Sequence, residues 1–267
     1  MKDAAHIEIR NALSKNNRNG FRGEGMTYDV MFDNVAAYSS QDKYDGYNPD
    51  YLNGDGFIFE KHTNDLRFSH IISMDHWDSG FDIKGNNVVL EHIVCFGNKN
   101  GLKLWGDNIQ VTHALIYGSK AQLREKGPPV DGMGIHVRKG SSVISQATIV
   151  NNETEDVKVG PQGKLVLNNS IVFRALPEGK LLGSYGEFES VNVVWFDSAE
   201  KKEPKSVVSP DMWADPQFVN WKEYNFNLKE TSPAHQYEPA SGMGSIDPEI
   251  HTDYLLEHNL VAGAFDY

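Results

Sequence analysis

The sequence is poor in cysteine, in long apolar runs and in basic residues. Cys95 is the single cysteine among 267 residues, so no disulfide can form within the chain. No run of 18 apolar residues occurs, so we expect no membrane span and no membrane partner. Residues 1–6 lack the apolar segment that a signal peptide requires. Lys and Arg number 25 against 37 Asp and Glu, and this net charge of −12 argues against a nucleic-acid partner.

Helical periodicity is also nearly absent before residue 200, except for a plausible short helix within Lys120–Lys126. What is present instead is a repeat. The segment GFDIKG, which begins at Gly80, is matched by GLKLWG, which begins at Gly101, 21 residues later. A period of this length is typical of a solenoid, in which equivalent residues of successive turns lie about 4.8 Å apart.

A polar residue follows each short alternating apolar run, and its recurrence gives the number of turns. Five of the seven intervals are 21–23 residues, and the other two are 36 and 33. The longer intervals contain the insertions Ser39–Leu52 and Gly118–Asp131, which a solenoid tolerates as loops. We therefore predict an all-β fold, a right-handed parallel β-helix of about eight rungs. The recurring residues are Asn11, Asn34, His70, His92, His113, Gln146, Asn169 and Ser190.

The repeat fades near Phe196, and the prolines beyond it exclude further regular rungs. We predict that residues 1–196 form the β-helix and that residues 197–267 form an irregular tail of the same domain, which packs on the coil and caps it. Its expected anchors are Trp213, Phe218, Trp221, Phe226 and Phe265. At the other end, His6–Leu13 already resembles the middle of a rung. We expect either a longer protein, in which further rungs precede this one, or another cover for this edge.

Alternation along the first strand of each rung predicts which side chains face inward. The expected inward set is Phe57, Phe59, Phe81, Ile83, Leu102, Leu104, Ile135 and Val137, and the expected outward column is Ile58, Asp82, Lys103, His136 and Lys158. The histidines of the recurring position share it with asparagines. We therefore interpret them as a structural ladder at a corner rather than as metal ligands.

Three carboxylates converge within two rungs of this outward face. Asp82 points outward, Asp78 lies in the turn before it, and Asp55 precedes the equivalent strand one rung earlier. Such a group repels itself unless a cation lies within it, and hard oxygen ligands indicate Ca²⁺. Asp75 is a further candidate ligand with less support. The alternative is a set of turn-forming Asp residues, each beside a glycine.

Lys103 lies on the next rung, and other cations flank it. A lysine near a divalent ion and further cations can have its pKa lowered and act as a base, although most lysines are simply exposed. Lys84, His136 and Arg138 complete a basic strip that suits a substrate with carboxylates. Trp105 is a candidate for stacking on a sugar ring.

The motifs GDGF (54–57), DSGFDI (78–83) and NGLKLWG (100–106) together resemble the catalytic rungs of the family 9 polysaccharide lyases, which are pectate-lyase-like β-helix enzymes. The resemblance implies that Asp55, Asp78 and Asp82 bind Ca²⁺ and that Lys103 removes the C5 proton of a uronate. It also implies a secreted or periplasmic location. One position departs from the pattern: Ser79 stands where the family has a second Asp.

These expectations lead to one main hypothesis and two alternatives. The main hypothesis is a monomeric lyase that cleaves an acidic, pectate-like polysaccharide by Ca²⁺-assisted β-elimination. The first alternative is a glycoside hydrolase that uses paired Asp residues as acid and base. The second is a β-helix that binds carbohydrate without cleaving it.

Overall fold

The computed structural model of this chain describes residues 1–41, 54–122, 130–198 and 210–237. Nearly all the regular structure is β-strand. The first strands are β1 (Ala5–Lys15), β2 (Phe21–Gly23), β3 (Tyr28–Tyr38), β4 (Phe57–Phe59), β5 (Asn64–Met74), β6 (Ser79–Ile83), β7 (Asn86–Phe96), β8 (Asn100–Leu104), β9 (Ile109–Tyr117) and β10 (Ala121–Gln122). The others are β11 (Val130–Asp131), β12 (Met133–Val150), β13 (Glu155–Asn168), β14 (Ile171–Arg174), β15 (Lys180–Ser184), β16 (Glu187–Val191), β17 (Val194–Asp197), β18 (Met212–Trp213), β19 (Phe218–Asn220) and β20 (Asn225–Leu228). Short 3₁₀ helices cover Trp221–Glu223 and Pro233–Gln236.

Strands of successive turns pair in parallel, which makes the molecule a parallel β-helix, as the repeat predicts. One path of paired strands runs β1-β3-β5-β7-β9-β12, and a second runs β2-β4-β6-β8-β12. The long strand β12 belongs to both paths because the chain passes from one face to the next without a break. Strands β13 to β17 continue the coil, and the two small pairs β10–β11 and β19–β20 are antiparallel.

The core lies inside the coil and is formed by equivalent side chains of successive rungs. All eight residues predicted to face inward have no exposed surface. The aromatic members stack directly: the ring centroids of Phe57 and Phe81 are 4.8 Å apart, and those of Phe21 and Phe57 are 5.1 Å apart. This separation matches the distance between neighbouring strands. Residues one sequence period apart therefore stack on each other and form a continuous apolar column.

The predicted corner ladder is confirmed, with one correction. Seven of the eight predicted members, together with Asn192, adopt left-handed φ values between 44° and 58°, which Asn and His tolerate better than most residues. Asn34 donates to Asn11 at 2.7 Å, and the three histidine rings stack at 5.1 and 4.6 Å. The eighth member is Asn192, which donates to Asn169 at 3.0 Å. The prediction of Ser190 was wrong, because Ser190 pairs with Leu167 inside a regular strand.

The described part of the tail packs on the outside of the coil. Strand β18 pairs with β17, and the hairpin β19–β20 covers the outer face formed by the ends of β3, β5, β7, β9 and β12. Phe218 and Phe226 are each 5% exposed, and the Phe226 ring lies 5.3 Å from that of Tyr117. Phe265 lies outside the described residues. The division of the chain at residue 197 stays a prediction.

The two insertions are described only at their ends, since residues 42–53 and 123–129 lie outside the described ranges. The prediction of a short helix within Lys120–Lys126 is wrong for residues 120–122, which are the described part of that segment. Ala121 and Gln122 form a strand that pairs with Val130–Asp131, because the two ends of this insertion meet as an antiparallel pair. Within the described ranges, the helical segments are all too short or too polar to cross a lipid bilayer.

Candidate active site

The outward column is confirmed residue by residue. The strand register pairs Ile58 with Asp82, Asp82 with Lys103, Lys103 with His136, and His136 with Lys158. Because the side chains of one column point the same way, the acidic and basic members become direct neighbours. After the apolar Ile58, the column changes from the acidic Asp82 to the basic Lys103 and Lys158 of later rungs.

The three predicted carboxylates lie together beneath this face. Asp55 is 1% exposed, and its Oδ1 accepts a hydrogen bond of 3.0 Å from the backbone N–H of Ser79. The Ser79 hydroxyl donates a longer bond of 3.4 Å to Oδ1 of Asp78. Asp82, the second member of the column, is also buried. Ser79, which replaces a carboxylate of the lyase pattern, therefore links two of the three acids by hydrogen bonds.

Lys103 lies between two of these acids. Its Nζ is 3.5 Å from Oδ2 of Asp78 and 3.8 Å from Oδ2 of Asp82, and its side chain is 12% exposed. Burial acts to lower the pKa of Lys103, but the attraction of the Asp78 and Asp82 carboxylates is stronger, and the net effect is a pKa above the ordinary value. The prediction of a lowered pKa is therefore wrong in this structure, because the attraction of several carboxylates outweighs the burial of the ammonium.

The acidic group carries more charge than Lys103 can balance. Lys84 and Lys99 also contact Asp82 and Asp78, but each binds a further carboxylate, Glu60 or Asp131. When all these groups are ionised, five carboxylates and three ammonium groups leave two negative charges. Burial, together with repulsion from Asp78 and Asp82, raises the pKa of Asp55 well above its ordinary value. Burial also raises the pKa of Asp82, against the opposing effect of Lys103. Such shifts are expected of buried acids that lack a sufficient counter-charge.

The carboxylate of Asp82 contacts both Lys84 and Trp105. Nζ of Lys84 lies 3.5 Å from Oδ2 of Asp82, but it also binds both carboxylate oxygens of Glu60, at 2.9 and 3.0 Å. The indole N–H of Trp105 donates to Oδ1 of Asp82 at 2.8 Å. The guanidinium carbon of Arg138 lies 4.3 Å from the centre of the Trp105 ring, a cation–π contact. Trp105 thus orients the carboxylate of Asp82, and Arg138 covers part of the indole ring of Trp105.

His136 lies in the column as predicted, but it does not contribute a charge. Burial and the nearby cations Arg138 and Lys158 lower its pKa to about 3, so the imidazole is neutral near pH 7. Its Nδ1 is buried and has no hydrogen-bond partner within the described part of the chain. The expected cationic role of His136 is therefore corrected, and the positive charge of the later rungs comes from Arg138 and Lys158.

Two charged residues of the site were not predicted from the sequence. Nζ of Lys99 lies 2.9 Å from Oδ2 of Asp131 and 3.6 Å from Oδ1 of Asp78. Burial acts to raise the pKa of Asp131, but Lys99 lowers it below its ordinary value. The 21-residue period places Lys99 one rung after Asp78 and could have identified it. Asp131 follows an insertion of irregular length, so its position could not be read from the period.

The residues fit a calcium ion in ligand type and in charge. Asp55, Asp78 and Asp82 offer hard carboxylate oxygens, Ser79 adds a hydroxyl, and the two uncompensated negative charges equal the charge of one divalent ion. In this structure Asp78 and Asp82 contact Lys103 instead. An ion would therefore have to compete with the ammonium for the same oxygens.

A second set of possible ligands lies on the corner ladder. Glu91, His92 and His113 each place one ligand atom within 4.8 Å of the others. The two rings are stacked 4.6 Å apart and are inclined by only 17°, so their nitrogen lone pairs are nearly parallel. One ion cannot lie in both ring planes, and this favours the structural interpretation of the ladder.

Comparisons of the chain with protein-family models, with curated proteins and with solved structures gave no match. The likeness to the family 9 lyases thus depends on the three motifs alone and stays a prediction.

Proposed function

We propose that this protein is a polysaccharide lyase that cleaves a uronate-containing polymer by β-elimination, with Lys103 as the base. The observation that carries the proposal is the position of Lys103, whose Nζ lies 3.5 and 3.8 Å from the carboxylates of Asp78 and Asp82 on the outer wall of the coil. A mostly buried lysine whose pKa is perturbed by several carboxylates is a candidate for function rather than a solvated side chain.

The charge gradient of the column supports an acidic substrate. Arg138 and Lys158 lie on the rungs after Lys103. Arg138 is exposed and is suited to bind a uronate carboxylate, whereas Lys158 also pairs with Glu155 at 2.8 Å. The neutral His136 between them has a ring nitrogen without a partner within the described residues, which a hydroxyl or carboxylate of the substrate could occupy. Lys84 is committed to Glu60 and Asp82, so we assign it a supporting role.

Asp55, Asp78 and Asp82 would hold Ca²⁺. Bound there, the ion would supply positive charge against the carboxylate of the uronate and would compete with Lys103 for its carboxylate partners. Trp105 would keep Asp82 oriented by its indole hydrogen bond.

The reaction itself needs a neutral amine at Lys103. Its lone pair takes the C5 proton of the uronate, and the C5–H electrons form the double bond between C4 and C5. The bond from C4 to the glycosidic oxygen breaks, and that oxygen keeps the electron pair and takes a proton from water. Arg138 and Lys158 would stabilise the negative charge that develops on the carboxylate.

The test is a screen of uronate polymers with Ca²⁺ or with EDTA, followed by the ultraviolet absorbance of the unsaturated product. The sharpest variant is Lys103→Arg, which keeps a cation against Asp78 and Asp82 but cannot lose its proton. We expect it to reduce the rate by at least about 100-fold, the usual contribution of a general base. Lys15→Arg, on the exposed first rung, is the matched control. Full activity in Lys103→Arg would show that another group is the base.

The same screen separates the two alternatives. Hydrolysis would give saturated ends and no rise in absorbance, but Asp55 and Asp82 are 1% and 4% exposed, so neither offers an open carboxylate to a sugar. A non-catalytic binding protein has one observation in its favour, namely that Lys99 and Lys103 already form ion pairs with acids of the site. Binding of uronate polymers without any turnover would support that function.

A further inference from the structure

A second cleft, of about 550 Å³, lies round the corner of the coil from the candidate active site. One wall is formed by the ends of β7 and β9 and the turns that follow β5, β9 and β12. The other is formed by the tail around the 3₁₀ helix Trp221–Glu223. On the coil side, Asp75 lies only three residues before Asp78. The cleft is lined from the ends of β7, β9 and β12, whereas the charged column lies on β4, β6, β8, the start of β12 and β13, so the two sites use different strand segments of the coil.

The tail contributes an aromatic wall to this cleft. Tyr224 is 39% exposed, and its ring lies 5.5 Å from that of Tyr117 and 5.8 Å from that of Phe96. Its backbone is left-handed, with φ 58° and ψ 18°, a conformation that is unusual for a bulky residue and that glycine would adopt without strain. Backbone strain of this kind is frequent at ligand-binding positions. Trp221 lines the same side.

The coil contributes polar groups of both kinds. Asp75 and Glu153 are acceptors, Lys120 is a donor, and Asn151 is both. Lys222 from the tail brings the lining to two acids and two bases, so the cleft has no net charge. Burial raises the pKa of Asp75, and Lys120 opposes the shift. The volume is within the usual range for small-ligand sites, which is about 300–1,000 Å³.

We propose that this cleft binds a neutral saccharide unit. A pyranose has an apolar face for the rings of Tyr224 and Trp221 and a rim of hydroxyls, each of which donates and accepts. Asp75, Lys120 and Glu153 match that rim. A polyanion would gain no net attraction here, because the two lysines are balanced by two carboxylates. A purely apolar ligand would cover the half-buried Asp75 without offering it a hydrogen bond. The proposal goes beyond lyase activity, since it requires no reaction and a different sugar from the one that the charged column would bind.

The experiment measures the binding of neutral gluco-, xylo- and galacto-oligosaccharides, with a uronate oligomer for comparison, by saturation-transfer NMR and calorimetry. We expect at least one neutral series to bind. Tyr224→Gly removes the ring and relieves the left-handed backbone, and it should weaken binding at least about tenfold, equivalent to about 1.4 kcal/mol. Asp75→Asn keeps a residue that tolerates φ 57° and should also weaken binding.

The controls keep this proposal distinct from the lyase proposal. Tyr185→Ala, an exposed tyrosine on another rung, should bind like the unmodified protein. EDTA and Lys103→Arg, which affect the charged column, should leave neutral-sugar binding unchanged. If no neutral oligosaccharide binds, if only the uronate oligomer binds, or if both Tyr224→Gly and Asp75→Asn bind normally while still folded by circular dichroism, the proposal is wrong.

Discussion

Asp55→Asn should stabilise this protein when no divalent ion is present. Asp55 is buried, and Asp78 and Asp82 repel its charge. Asn has nearly the same shape, and its side-chain oxygen can still accept the 3.0 Å bond from the N–H of Ser79. The substitution therefore removes a buried charge without opening a cavity or breaking that hydrogen bond. Sites that trade stability for function commonly respond in this way.

The size and pH dependence of the effect follow from the same groups. We expect a gain of about 0.5–2 kcal/mol, the usual range for relieving such a site. That corresponds to a rise in Tm of about 2–4 °C for each kcal/mol in a chain of this size. The pKa of Asp55 is raised in the folded state, so the folded state favours the protonated carboxyl. The stability that this group contributes is fully present below its ordinary pKa of 3.8 and is lost as the pH rises through the folded pKa. The advantage of Asn should therefore be small near pH 4 and largest at pH 8.

The assay is thermal unfolding in EDTA from pH 4 to pH 8, with Asp65→Asn, an exposed acid on another face, as the control. Addition of CaCl₂ should then raise the Tm of the unmodified protein more than that of Asp55→Asn, because ligand binding stabilises only the form that binds. If Asp55→Asn lowers Tm in EDTA at pH 8, the inference that Asp55 lacks a counter-charge is refuted.

Three other substitutions test the remaining charged groups by urea unfolding. Lys103→Met removes the 3.5 Å partner of Asp78 and leaves Lys99 at 3.6 Å, so it should cost up to about 3–5 kcal/mol, whereas a loss under 1 kcal/mol would mean that the pair is unimportant. Arg174→Met should cost a similar amount, because it removes the partner of the buried Asp156, which lies 3.1 Å away. The pKa of Asp156 is about 7 even beside Arg174, so without Arg174 the carboxyl must be protonated and the loss should be larger at pH 8 than at pH 5. A loss independent of pH would contradict this. Burial lowers the pKa of His76 to about 3, so its contribution to stability falls by about 1.4 kcal/mol per unit as the pH drops from 6.5 towards 3, and His76→Gln should remove that slope.

The neighbourhood of Asp82 and Lys103 could be predicted from the sequence because it needs only two periodicities. The 21-residue repeat determines which residues share a rung position, and the two-residue alternation of a strand determines which side they face. Neither inference requires knowledge of distant contacts. The same two rules predicted the buried aromatic column, and the repeat predicted seven of the ladder residues.

The protonation states and the insertions could not be predicted in this way. Lys103 was expected to have a lowered pKa and His136 a positive charge, yet both depend on how many charges lie within a few ångströms and on how deeply each group is buried. Asp131 reaches Lys99 only because the ends of an insertion pair as a short hairpin. Ser190 was misplaced on the ladder because the left-handed corner, rather than polarity alone, selects the residue there.

The replacement of a carboxylate by Ser79 bears directly on whether this site can hold an ion. A fourth acid would raise the uncompensated charge from two to three while Lys103 remained protonated. With Ser79 in that place, the carboxylates of the site, including Glu60 and Asp131, exceed its three lysines by two, which one divalent ion neutralises completely. The serine also keeps a hydrogen bond to Asp78 and donates its backbone N–H to Asp55, so it preserves the arrangement of the other ligands. The departure from the lyase pattern therefore lowers the number of ligands without removing the electrostatic reason for an ion to bind.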